Sequence, residues 1–108
     1  NLIAMIDYNK LQSLTTIAET LNLEPLADKL RAFGWGVREV DGHDHNALEA
    51  AFAEAPWSVG KPSILVMHTT KGKGVSFMEN ELKWHHGVPS KEQYEQAQKE
   101  LDELLLTL

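Results

Sequence analysis

The sequence predicts an α/β fold, a parallel sheet with helices on both faces. Two apolar runs, Leu2–Tyr8 and Pro62–His68, lack the alternation of a half-exposed strand. Such runs mark strands covered on both sides in a parallel sheet. Between them, two segments with helical spacing flank a further strand candidate, Trp35–Val40. Strand, helix, strand, helix, strand makes two βαβ units with right-handed crossovers.

The first strand ends in a polar tip, Asp7-Tyr8-Asn9-Lys10. Open α/β sheets place ligands at the carboxyl ends of their strands, so a site is expected to begin there. A polar connection, Asn9–Thr16, leads to a short helical turn over Ile17–Leu21. Glu24-Pro25 opens a clearer helix, because proline is tolerated in a first turn. Leu26, Leu30 and Phe33 share one face of it, and Gly34 ends it. The second strand closes on Asp41-Gly42-His43-Asp44, where Asp44 caps the next helix and Gly42 is expected to permit a left-handed turn. That helix, His45–Glu54, carries Leu48 and Phe52 one turn apart, and Pro56 to Gly60 breaks the pattern. After the third strand come a glycine-bearing loop, Thr69–Gly74, and an irregular stretch with Trp84, His85 and His86. Ser90 N-caps the last helix with Gln93 as its reciprocal partner. Tyr94, Ala97, Leu101, Leu104 and Leu105 form that helix's apolar side. The chain opens inside a strand and leaves sheet edges to be covered, so residues 1–108 are expected to be the C-terminal portion of a larger domain.

Composition narrows the function. A 108-residue chain with 43% hydrophobic residues supports one domain. Its net charge of −6 disfavours sequence-independent nucleic-acid binding and attachment to anionic membranes. The absence of Cys excludes disulfides, thiolate metal sites and a thiol nucleophile. No apolar stretch approaches the roughly 20 residues that span a bilayer, and a cytoplasmic location is expected.

Three loops follow the three strand ends, and each is polar. Asn9 offers an amide oxygen, a neutral hard donor suited to Mg²⁺ or Ca²⁺, although an Asn at a strand end also shapes turns by itself. His43 and His45 stand on a turn without a third metal ligand, so capping is the favoured reading of that segment. The Thr69–Gly74 loop combines two glycines with Lys71 and Lys73, which suits contact with a phosphate. It does not open a helix and is not a Walker A loop. Adjacent histidines are poor joint metal ligands, so His85 and His86 point to hydrogen bonding or proton transfer, with Trp84 anchoring their loop.

Taken together and in order, these segments resemble transketolase, a thiamine diphosphate enzyme family. Asn1–Lys10 resembles the second half of the family's cofactor motif, which begins upstream with Gly-Asp-Gly and ends in a metal-binding Asn, here Asn9. Thr69–Gly74 is similar to the family's Thr-x-Lys-Gly-Lys-Gly loop, and His86-Gly87-Val88-Pro89 to its His-Gly-x-Pro element. Ser13 departs from the apolar residue usual at its position.

The resemblance implies the thiamine diphosphate-binding fold and transfer of a two-carbon ketol group from a ketose to an aldose, with sugar phosphates as substrates. It implies Asn9 and the carbonyl of Leu11 as metal ligands for Mg²⁺ (or Ca²⁺). Lys71 and His86 join them around thiamine diphosphate, and His86 is the catalytic residue. The activating glutamate belongs to a pyrimidine domain, so a partner chain or subunit is implied, as in split transketolases, within a homodimer or heterotetramer. This segment alone would then be inactive. The alternatives are another thiamine diphosphate enzyme, of deoxyxylulose phosphate synthase or dehydrogenase E1 type, or a non-catalytic flavodoxin-like module.

Overall fold

A computed structural model describes residues 2–107, which fall into two compact units. The first holds residues 2–10 and 17–69, and the second holds residues 11–16 and 70–107.

In the first unit the elements are β1 (Ile3–Tyr8), α1 (Ile17–Thr20), α2 (Leu26–Ala32), β2 (Gly36–Asp41), α3 (His45–Ala53) and β3 (Ser63–His68). The three strands are parallel, in the order β1-β3-β2. Ile3 and Gly36 both pair with Ser63, and Tyr8 and Asp41 both pair with His68. The three carboxyl ends are therefore level. The chain steps past β3 to reach β2 and then steps back, so right-handed crossovers put the connecting helices on opposite faces. Both α2 and α3 pack on β2.

The core follows from that order. Central β3 buries Ser63, Ile64, Leu65 and Val66, and Leu65 is 0% exposed. Ser63 is tolerated there because its hydroxyl accepts from the Trp57 N–H (3.4 Å) and its own N–H donates to the Leu2 carbonyl (2.9 Å). The Trp57 indole N–H donates to the Ala51 carbonyl at 2.8 Å, closing the α3–β3 connection over the buried Ala51.

Two expectations are corrected in this unit. β1 is not covered on both faces: Ile3 is 43% and Met5 60% exposed, while Tyr8 is buried. Among the described residues it is an edge strand, and its alternation in burial separately shows that one of its two faces lies open. Phe33 does not join the apolar face of α2. It lies just past the last helical residue and is 83% exposed, with Gly34 following in the left-handed conformation (φ 91°).

In the second unit, Leu11 and Thr16 form an antiparallel bridge, and the Gln12 N–H donates to Thr15 O at 2.9 Å. A looped segment leads to a 3₁₀ helix, Leu82–His85, and then to α4, Lys91–Leu105. Ser90 and Gln93 make the expected reciprocal cap at the start of α4. Val75 is the buried residue of the unit. Among the described residues the apolar stripe of α4 is largely open at Tyr94, Leu104 and Leu105, and polar contacts tie the helix to its loop. Glu100 accepts from the Ser76 N–H (2.6 Å), the Ser76 hydroxyl (2.7 Å) and the Gln96 amide (2.7 Å). The Gln96 and Ser76 bonds hold its carboxyl below the usual range.

Candidate functional site

Asn9 is half-buried and directly follows Tyr8, the last residue of β1. The chain turns sharply there. Lys10 has φ 62°, rare for a residue with a side chain, and its carbonyl accepts from the Ile17 N–H at 3.0 Å. The Tyr8 hydroxyl donates to Glu24 Oε1 at 2.9 Å, and the Lys10 Nζ lies 4.0 Å from the same oxygen and 5.5 Å from the centre of the Tyr8 ring. One carboxylate therefore meets both neighbours of Asn9. Burial first, and the Glu24 carboxylate second, push the Tyr8 phenol up to about 12. The hydrogen bond from Tyr8, followed by that from the Leu26 N–H, holds Glu24 below the ordinary carboxylate range.

The neighbouring strand ends are linked as well. The Thr69 hydroxyl, just beyond β3, donates to Asp7 on β1. His68 Nε2 lies 3.1 Å from Glu39 Oε2 on β2, and the His68 ring meets the Tyr8 ring edge-on at 5.7 Å. The loop after β2 is the cap it was read as. Asp44 accepts from the Ala47 N–H at 3.0 Å, and Asp41 accepts from the His43 N–H at 2.9 Å. Gly42 serves differently from expectation. It is not among the residues of positive φ, and a Cβ there would sit 2.5 Å from Thr69 Cγ2 and 3.0 Å from Met67 Cβ. Close approach of the strand ends, and not a left-handed turn, requires glycine.

The second unit carries Leu11, Lys71 and His86. Leu11 is half-buried in its bridged turn. The loop containing Lys71 folds on itself, with the Asn80 N–H donating to the Lys71 carbonyl at 2.9 Å. Its two lysines differ. Lys73 Nζ lies 3.9 Å from Glu79, whereas the Lys71 ammonium has no ion pair or hydrogen bond among the described residues. Trp84 anchors the next stretch as expected, its indole N–H donating to the Phe77 carbonyl at 2.8 Å and its ring tilted against Phe77. His86 is exposed just past the 3₁₀ helix, its ring edge-on to His85 at 4.4 Å. His85 is more than a solvated neighbour, since its Nε2 lies 3.0 Å from the Ser13 hydroxyl. Sequence reasoning passed over that pair, and over Glu24, which it took only for a helix opener.

Asn9 at the end of β1 carries an amide oxygen and Leu11, in the second unit, a backbone carbonyl, each a neutral oxygen of the kind hard divalent ions accept. Among the described residues no group of three or more His, Cys, Asp or Glu is arranged to hold a metal. Among the described residues no helix is long and apolar enough to cross a membrane.

Residues 1–102 match the family described as the thiamine diphosphate binding domain of transketolase. The chain belongs to the transketolase family. One of the subunits of the apulose-4-phosphate transketolase from Phocaeicola vulgatus is 48% identical over 103 residues, which cover 95% of this chain and 37% of that protein. The 6-deoxy-6-sulfo-D-fructose transketolase subunit of a Clostridium species is 43% identical, over 94% of this chain and 37% of that protein. The chain thus spans little more than a third of the length of these curated relatives. The crystal structure of transketolase from Campylobacter jejuni superposes with a TM-score of 0.80 at 28% identity, over 92% of this chain and 15% of that one. The parallel sheet and its helices are those of the transketolase α/β thiamine diphosphate-binding fold.

Proposed function

We propose that residues 1–108 form the C-terminal portion of the thiamine diphosphate-binding domain of a split transketolase. The observation that carries the reading is Asn9 at the carboxyl end of β1, beside a level row of strand ends, in a chain of this family. Asn9 contributes its amide oxygen to Mg²⁺ and Leu11 its backbone carbonyl. Phosphate oxygens, water and a carboxylate from elsewhere in the protein would supply the remaining oxygens. Lys71, whose ammonium has no partner among the described residues, contributes positive charge toward the diphosphate. His86 donates a hydrogen bond to a substrate hydroxyl or phosphate oxygen where charge builds in the transition state.

When bound, thiamine diphosphate supplies the reactive carbon and electron sink for moving a two-carbon ketol group between a ketose and an aldose. This chain's own work is to bind and orient. The pyrimidine domain, with its activating glutamate, comes from a partner polypeptide in a homodimer or heterotetramer, in keeping with the relatives being named as subunits. Asn9→Ala in the complete protein should weaken Mg²⁺-dependent binding of thiamine diphosphate by roughly 1–3 kcal/mol, the loss for a partner of a charged group. Unchanged cofactor affinity at limiting Mg²⁺, measured by calorimetry, would overturn the ligand assignment.

A further inference from the structure

Asn9 lies between two residues that share one anchor. Tyr8, buried, donates its hydroxyl to Glu24 Oε1 at 2.9 Å, and Lys10, in the left-handed region at φ 62°, brings its ammonium within 4.0 Å of the same atom. The other carboxylate oxygen of Glu24 accepts from the Leu26 N–H at 3.2 Å, so the anchor is itself fixed to the first turn of α2. A β-carbon disfavours the left-handed conformation, so a lysine stays there only where its surroundings hold it. A backbone hydrogen bond from the Ile17 N–H to the Lys10 carbonyl provides one hold, and Glu24 with the Tyr8 ring provides the other.

From this arrangement we infer that Glu24 is a positioning residue for the metal-binding Asn9, gripping the residues on either side of it and so fixing the turn that presents its amide oxygen. The inference rests on the proposed role of Asn9 in Mg²⁺ binding. Glu24 itself touches neither metal nor cofactor in this scheme. Like any carboxylate it is charged at neutral pH, and the hydrogen bond from Tyr8 favours that form further. A carboxamide keeps part of the grip, because Gln retains an oxygen to accept from Tyr8 while losing the charge toward Lys10 and the acceptor for the Leu26 N–H.

The test is a MgCl₂ titration of thiamine diphosphate binding in the complete protein, followed by calorimetry and paired with kcat at saturating Mg²⁺ and cofactor. Glu24→Ala should raise the half-saturating Mg²⁺ about 3- to 10-fold, below the ~10- to 100-fold typical when a group bonded directly to a ligand is lost. The kcat at saturation should stay at the wild-type value, and Glu24→Gln, which keeps the acceptor for Tyr8 but not the one for the Leu26 N–H, should restore part of the Mg²⁺ affinity. Tyr8→Phe, which cuts the same hydrogen bond from the other end, should reproduce the Glu24→Ala shift and carries the test if that variant does not fold. Asn9→Ala serves as the reference. If it leaves the Mg²⁺ requirement unchanged, the ligand reading fails. If it raises the requirement while Glu24→Ala and Tyr8→Phe do not, the ligand reading stands and the positioning inference is overturned. A fall in kcat at saturation, or no rescue by Gln, likewise counts against positioning.

Discussion

Replacing Tyr8 by Phe isolates one hydroxyl in a buried place. The ring, 5% exposed and edge-on to His68, is retained, and only the 2.9 Å bond to Glu24 is lost. A hydrogen bond to a charged group contributes about 1.5–3 kcal/mol. The Glu24 side chain is 52% exposed, so water replaces the lost donor and the solvent-screened loss near neutral pH should be about 1 kcal/mol. The pH dependence supplies a second, independent signature. Because the phenol is raised to about 12 in the folded protein, its contribution is fully present below pH 10 and is lost as pH rises through 12. At pH 11 the phenol is ionised in the unfolded chain and not in the folded one, which lowers wild-type stability by about 1.4 kcal/mol relative to a phenylalanine. The variant should therefore be less stable than wild type at pH 8 and equal to it or slightly more stable at pH 11. On the acid side the sign is opposite. Glu24 has a lowered pKa, so its contribution is present above the ordinary carboxylate range and lost as pH falls, and the variant should lose less stability there. Urea unfolding of the full-length protein at several pH values measures all of this. A stability difference that is the same at pH 8 and pH 11 would refute the reasoning.

Two further outcomes follow from the second unit. His86→Ala should reduce kcat/KM by on the order of 10- to 1000-fold in the complete enzyme at saturating cofactor, and His85→Ala much less, since the His85 ring is engaged by Ser13 and the His86 ring is exposed. Steady-state kinetics showing His85→Ala to be the more damaging would mean that the loop has been read one residue out of register. Gly72→Ala should lower stability by about 1–3 kcal/mol, because φ is 72° there and a Cβ would lie 2.6 Å from the Met78 carbonyl oxygen, a backbone atom that cannot step aside. A shift in the urea midpoint with an unchanged slope is the expected result, and no shift would count against the tight turn.

What could be read from the sequence was whatever is decided locally. The strand at Ser63–His68, the Asp44 and Ser90 caps and the left-handed Gly34 all depend on residues within a few positions of one another. Asn9 is proposed as a ligand because a strand-end rule and a motif both select it, and Lys71 stood out from Lys73 only when the ion pair to Glu79 could be seen. The errors share a cause. An apolar run such as Leu2–Tyr8 states that the strand tolerates burial, not that a neighbour lies on each side, so the exposure of Ile3 and Met5 was beyond its reach. The role of Gly42 depends on Thr69 and Met67, brought to it only when β2 docks on β3. The grip of Glu24 on Tyr8 spans 16 positions, and that of Ser13 on His85 spans 72. Neither leaves a periodic or spacing signal, because a side-chain hydrogen bond asks for one donor and one acceptor at one distance and imposes nothing on the residues between. Residues that touch the chemistry are drawn from a few types and recur in motifs, whereas residues that aim them need only reach. A motif can therefore nominate Asn9, whereas only the folded chain shows that Glu24 meets the residues on either side of it.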